Sequence, residues 1–281
     1  MGNNDNYITL YVLSSLATTL EVKITALESC VTSSICYGSE AWGQYNREDL
    51  EVLHRTGLKT ALSVRSNTCN EIIYVETGTF PLSCDIKKGQ YNFWKNLTDN
   101  IENDSPLNTL ISKARDINLP YIKYYDNLLQ NYTSADQIRN IMKAEFSNKW
   151  KDKINKAHSD DPLSKLGTYA DINSDFKAVV FKPTLFELDR ILITRYRTGS
   201  NNLLIETGRF SNPRIPRESR ICRCGNGVQT LKHVIMDCSI VLQSARVYGL
   251  EHNFDHLNEF FNWSKCQDFL IRMTKALKIE I

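Results

Sequence analysis

Four residues near the C-terminal end are of the types, and at the spacing, that hold a metal ion. Cys222, Cys224, His233 and Cys238 stand in the pattern C-x-C-x8-H-x4-C, within the stretch CRCGNGVQTLKHVIMDC. Three thiolates and an imidazole are an accepted ligand set for tetrahedral zinc, and four protein ligands leave no position open for water or substrate. The chemistry expected of them is therefore structural. The competing account makes the cysteines small buried apolar groups and the histidine a satisfied core residue. It leaves the succession of CxC, turn, helix signal, His and Cys unexplained.

Particular local elements must position such a set. If Ile221 to Cys224 is extended, residues i and i+2 share a face and both sulfurs point at one ion. Gly225, Asn226 and Gly227 supply a reversal, since Asn-Gly tolerates positive φ at low cost. Thr230 is placed to cap a short helix that carries His233, with Cys238 at its end.

A basic segment leads into the cluster. From Arg190 to Arg223 there are eight arginines (Arg190, Arg195, Arg197, Arg209, Arg214, Arg217, Arg220, Arg223) against Glu206 and Glu218. That is a net +6, so the remainder of a chain whose total is +2 carries −4. With Lys232, these residues are the expected contacts to RNA or DNA phosphates; the bland account is a solvated surface.

With 281 residues, 42% apolar and 23% charged, the chain can bury a sizeable core and has the composition of a soluble folded protein. The remaining cysteines, 30, 36, 69, 84 and 266, have no framework spacing, which suits a reducing compartment, nuclear or cytoplasmic. Tyr7 to Leu20 is too short and too rich in Ser and Thr to cross a bilayer, so no membrane partner is expected.

Helical periodicity dominates. Leu16, Leu20, Ile24, Leu27 and Val31 make one stripe; Asn46 to Val64 reads as a helix capped by Asn46, with Leu50, Leu53, Leu58, Ala61 and Leu62 buried. Gly78 and Pro81 separate the next element from a helix carrying Ile86, Tyr91, Phe93 and Trp94. Residues 98–180 are Asn-, Asp- and Lys-rich, with amphipathic pieces such as Ile138, Met142, Phe146 and Trp150. A helix is expected from Pro183 to Thr198, with Leu185, Leu188, Ile191 and Leu192 inward and Gly199 ending it. Phe254, Leu257 and Phe261, then Phe269, Leu270, Met273 and Leu277, predict a terminal helical hairpin whose aromatics are core. His252 and His256 are expected on a helix, at the surface.

The order CVTSSICYGSEAW, LEVLHRTGLKTALSV, NEIIYVETGTFPLSCDIKKGQYNFW resembles the thumb region of reverse transcriptases of LINE-type (non-LTR, jockey-like) retrotransposons. The later RILITRYRTGSNNLLIETGRF and RICRCGNGVQTLKHVIMDC resemble the C-terminal linker and zinc knuckle of the same polyproteins. The resemblance implies a mainly α chain in three stretches. These are a thumb-like helical region (1–97), a helical linker with loops (98–180), and a basic helix, zinc knuckle and terminal hairpin (181–281). It implies an RNA- or DNA-binding C-terminal fragment of an RNA-directed DNA polymerase, working with the rest of the polyprotein. The reading from another class is a domesticated zinc adaptor that binds a protein through its apolar terminal hairpin.

Polymerase chemistry needs paired carboxylates on two magnesium ions, and no such pair is expected to act here. Tyr169-Ala170-Asp171 is followed by Ile172, and Asp160-Asp161 sits beside Pro162 as an exposed loop. Magnesium enters only if an upstream polymerase palm exists. There is no P-loop, no G-x-S-x-G and no dinucleotide fingerprint, and His54 lies mid-helix without a nearby nucleophile. No residue is assigned as catalytic.

Overall fold

The structure, a computed structural model, describes residues 13–42, 48–102, 104–179, 181 and 185–279. Among these the architecture is mainly α, as expected, with no strand and one isolated antiparallel bridge, Ile221 to Val228. In chain order come α1 (Leu20–Ala26), a π-helical stretch (Leu27–Thr32), α2 (Ser33–Cys36), α3 (Ser39–Trp42), α4 (Glu48–Leu62), α5 (Asn70–Thr77) and α6 (Leu82–Asn100). They are followed by α7 (Pro106–Asp116), α8 (Pro120–Asn131), α9 (Ala135–Asp160), α10 (Lys165–Ala170), α11 (Glu187–Arg197) and α12 (Leu204–Thr207). A 3-10 turn (Arg217–Ser219), a π-helical turn (His233–Asp237), α13 (Ser239–Val247), α14 (Leu257–Asn262) and α15 (Cys266–Leu277) complete the series. No helix among the described residues is long and apolar enough to cross a membrane.

The chain divides into two compact units, each assembled from segments distant in sequence. The first is Met1–Leu27, Arg55–Thr79 and Trp150–Ile281; the second is Glu28–His54 and Phe80–Lys149. Of the four borders, two fall within α4 and α9, one within the π-helical stretch and one between α5 and α6. Composition marks where the chain is polar, whereas compactness follows which apolar faces meet.

In the second unit, Ser105 accepts the N–H of Asn108 at 3.1 Å and Pro106 stands in the first turn, which starts α7. Trp94, Ile111, Tyr125, Leu128 and Ile138 form its core. Asp126 anchors the edge by accepting from Trp94 Nε1 at 3.2 Å and from both ends of the Arg115 fork at 2.8 Å. Part of the stretch read as linker thus packs in this core together with Trp94 of α6.

The first unit has one apolar cluster in which Ile72, Val75, Trp150, Tyr169, Leu192 and Tyr196 join Cys222, Val234, Cys238, Val241, Phe260, Phe269 and Met273. The cysteine segment is therefore a wall of this core. Phe269 of α15 is buried as its spacing predicts, whereas in α14 the buried ring is Phe260, with Phe254 and Phe261 only partly buried against the core.

Other expectations need correction. Leu53 and Leu188 are exposed; in α4 the buried stripe is His54, Leu58, Ala61 and Leu62, a polar ring standing where a leucine was expected. His252 lies outside any helix and stacks on Phe254 at 5.0 Å, with Phe269 at 4.9 Å and both ring nitrogens buried. Four neighbouring rings, Phe254, Phe260, Trp263 and Phe269, draw it from the surface. Helix α11 begins at Glu187. The Asn46 cap and the Pro183 helix start lie outside the described residues.

Candidate metal centre

Cys222 sits just after the bridge residue Ile221, and its N–H donates to the Gly227 carbonyl at 2.8 Å. The Gly225 N–H donates back to the Cys222 carbonyl at 2.9 Å, so the chain turns through Arg223 and Cys224. The expected extended run to Cys224 is therefore replaced by a turn that wraps the second sulfur towards the first. Positive φ falls on Gly225 (+78°) and Gly227 (+101°), and a Cβ at either would meet nothing within 4 Å. Backbone conformation, not space, demands glycine there.

Thr230 caps the following turn as predicted, its Oγ1 accepting the His233 N–H at 3.1 Å. The helix then widens: the Cys238 N–H reaches the His233 carbonyl at 2.8 Å, an i→i+5 bond. In an α-helix, residues five apart are rotated by about 140° and face different ways. The π turn brings them towards one side, and this delivers His233 and Cys238 to one place.

The four ligand atoms lie within 4.8 Å of one another. Zinc with Zn–S of about 2.3 Å gives tetrahedral S···S edges of about 3.8 Å and S···N edges of about 3.6 Å. Cys222 Sγ and Cys238 Sγ are 3.7 Å apart, and Cys224 Sγ and His233 Nε2 3.2 Å. The donor set therefore fits a closed tetrahedral site. Burial, and then the neighbouring sulfurs of Cys222 and Cys224, push the Cys238 thiol up to about 12. At neutral pH that thiol keeps its proton unless a cation bound between the sulfurs displaces it. Burial would also raise Cys224, but the Asn226 N–H donating to its Sγ at 3.4 Å helps hold it below the usual thiol range. Burial lowers His233, favouring the neutral imidazole that binds metal.

The basic residues separate into three groups. Arg190, Arg197 and Arg220 are buried, and their guanidinium groups are committed inside the fold. Arg190 is bidentate to Glu187 at 2.7 Å and Arg197 holds Glu76 at 2.9 Å, while Arg220 donates to the carbonyls of Ile205 and Ile215 at 2.8 and 2.7 Å. Gly208 leaves room for this last arginine, since a Cβ there would lie 2.6 Å from its Nε. Expected as phosphate contacts, these three are structural, because a desolvated guanidinium must be paired or hydrogen-bonded.

Arg195, Arg209 and Arg217 are half-buried. Arg195 donates to the Ser63 carbonyl at 3.1 Å, Arg209 lies 3.5 Å from Glu206, and Arg217 forks onto Asp161 at 3.0 and 2.6 Å. Arg217, through its hydrogen bonds, lowers the Asp161 carboxyl. Arg214, Arg223 and Lys232 are exposed, without an ion pair among the described residues. The neutralising acids Glu187 and Glu206 stand three residues before Arg190 and Arg209, a helical pairing visible in sequence. Glu76 lies 121 residues from Arg197 and carried no such signal.

None of the eight cysteines is in a disulfide. Compared with protein-family models, curated proteins and solved structures, the chain matches none of them. Fold and site together define a mainly α protein with a Cys3His cluster able to hold a metal ion, set in the core of its first unit.

Proposed function

We propose that this chain is the C-terminal portion of a LINE-type retrotransposon reverse transcriptase, and that it grips RNA or DNA beside a structural zinc ion. The observation that carries the reading is the convergence of Cys222, Cys224, His233 and Cys238 within 4.8 Å, with exposed Arg223 and Lys232 each next to a ligand in sequence. Zinc would contribute folding energy and no chemistry on a substrate. Arg214, Arg223 and Lys232 would meet phosphates, which position a strand without reading its bases. The setting is intracellular, where thiols stay reduced, and the remainder of the polyprotein is the natural partner.

A protein adaptor would need the apolar face of the terminal helices. Leu257, Phe260, Phe269, Leu270, Met273 and Leu277 are already buried in the chain's own core, so the nucleic-acid reading is preferred.

The test is metal analysis of the purified chain, followed by a salt titration of RNA and DNA affinity. One zinc per chain is expected. The salt slope on duplex DNA should become shallower by about 0.9 for each phosphate that Arg214→Ala, Arg223→Ala and Lys232→Ala leave unneutralised. No zinc, with the three thiols alkylating and His233 titrating freely, or a slope unchanged in the triple variant, would count against the reading.

A further inference from the structure

Away from the metal centre, the first unit has a cleft of about 540 Å³ between the end of α4 and the loop that follows α11. Two arginines line it, Arg65 and Arg195, together with Ser63, Ser200 and Asn202, and no carboxylate among the described residues does. Ser63 takes φ +57° at the end of α4. Its carbonyl accepts Arg195 Nε at 3.1 Å. Across the cleft, the Arg65 N–H donates to Ser200 Oγ at 2.8 Å and its Nη2 to Asn202 Oδ1.

Each guanidinium is oriented by one hydrogen bond and keeps donors to spare. Arg195 is fixed through Nε, which leaves both its Nη groups for a ligand, and Arg65 keeps Nη1 and Nε. Two oriented forks in a wall without a carboxylate suit a dianionic oxyanion recognised by several N–H groups. The volume lies in the range of small-ligand pockets, about 300 to 1,000 Å³, and exceeds the need of a bare anion.

We infer that this cleft is a phosphate site that takes the phosphate of one nucleotide, free or at the end of a strand. It uses neither the zinc ligands nor Arg214, Arg223 and Lys232, so it stands or falls independently of the zinc-side grip on nucleic acid.

The experiment uses the full zinc-loaded chain at constant ionic strength. Calorimetry and melting temperature are followed with inorganic phosphate, a nucleoside 5′-monophosphate, and single-stranded oligonucleotides with and without a 5′-phosphate. The monophosphate should bind and raise the melting temperature. Arg65→Ala with Arg195→Ala should weaken it roughly tenfold or more, the loss of at least one charge-assisted hydrogen bond. Arg65→Lys with Arg195→Lys, which keeps the charge and loses the forks, should fall between. Arg214→Ala with Arg223→Ala and Lys232→Ala should bind the monophosphate as the parent does. Competition by the 5′-phosphorylated strand alone of the two oligonucleotides assigns the phosphate to a strand end; competition by neither assigns it to a free nucleotide. A parent chain whose melting temperature and heats ignore phosphate and monophosphate overturns the proposal, whatever the variants do. So does a folded Lys pair or Ala pair that binds as the parent.

Discussion

Arg197 donates through Nε and Nη2 to Glu76, which is 1% exposed and also accepts the Tyr169 hydroxyl at 2.7 Å. Burial, then the Glu76 charge, hold that phenol well above its usual range. Removing one partner leaves a desolvated charge, so Arg197→Ala should cost about 3 to 5 kcal/mol in denaturant unfolding. Arg214→Ala should stay within about 0.5 kcal/mol. Equal losses would mean that burial does not separate the two classes. His54 offers a second test at this scale. Burial alone would lower its pKa, but the Glu28 carboxylate at 3.2 Å and Glu51 at 3.7 Å outweigh it and raise the value to about 9. A histidine whose folded pKa exceeds its unfolded 6.5 contributes stability that is complete below pH 6.5 and is lost as pH rises through 9. The contribution is on the order of 3 kcal/mol. Urea midpoints from pH 6 to 10 should fall for the parent chain and stay flatter for His54→Gln; parallel curves would remove His54 as the cause.

At the scale of elements, the turn from Thr230 to Cys238 combines a capped start with a widened end, and the Cys3His cluster needs both. Loss of the cap in Thr230→Ala should cost about 1 kcal/mol while zinc remains bound. Cys224→Ser or His233→Ala removes a ligand from a closed site and should abolish stoichiometric zinc altogether, because binding energy at such a site is largely folding energy. Zinc content and thermal unfolding measured on the same samples distinguish the two. Retention of full zinc by Cys224→Ser would show that this sulfur is not a ligand.

For the whole molecule, the shared core decides how far removal of the metal is felt. Val234 and Cys238 pack in one cluster with Ile72 and Val75 of α5, Leu192 of α11 and Met273 of α15. Chelation of zinc should therefore raise amide exchange in α5, α11 and α15 as well as between Ile221 and Val247. The core of the second unit, around Trp94 and Tyr125, is a separate cluster, and α7 and α8 should keep their protection. Exchange confined to the cysteine segment would mean that it folds as an independent knuckle. The pattern is read by hydrogen exchange before and after chelation.

The Cys3His cluster was legible in the chain itself, because its four residues lie within 17 positions and their placement depends on local chemistry: a glycine turn, a threonine cap and a short helix. Helix content was legible for the same reason, since a period near 3.6 is a property of neighbours along the chain. The widened turn at His233 was not, nor was the turn at Cys224, as each depends on hydrogen bonds that periodicity does not encode. The fate of the arginines was settled only by tertiary structure. Eight guanidinium groups in sequence look alike; burial and partners as distant as Glu76 and Asp161 make some of them structural and leave Arg214 and Arg223 exposed. The cleft at Arg65 and Arg195 belongs to the same class, for its two walls lie 130 residues apart and meet only because α4 and α11 end side by side.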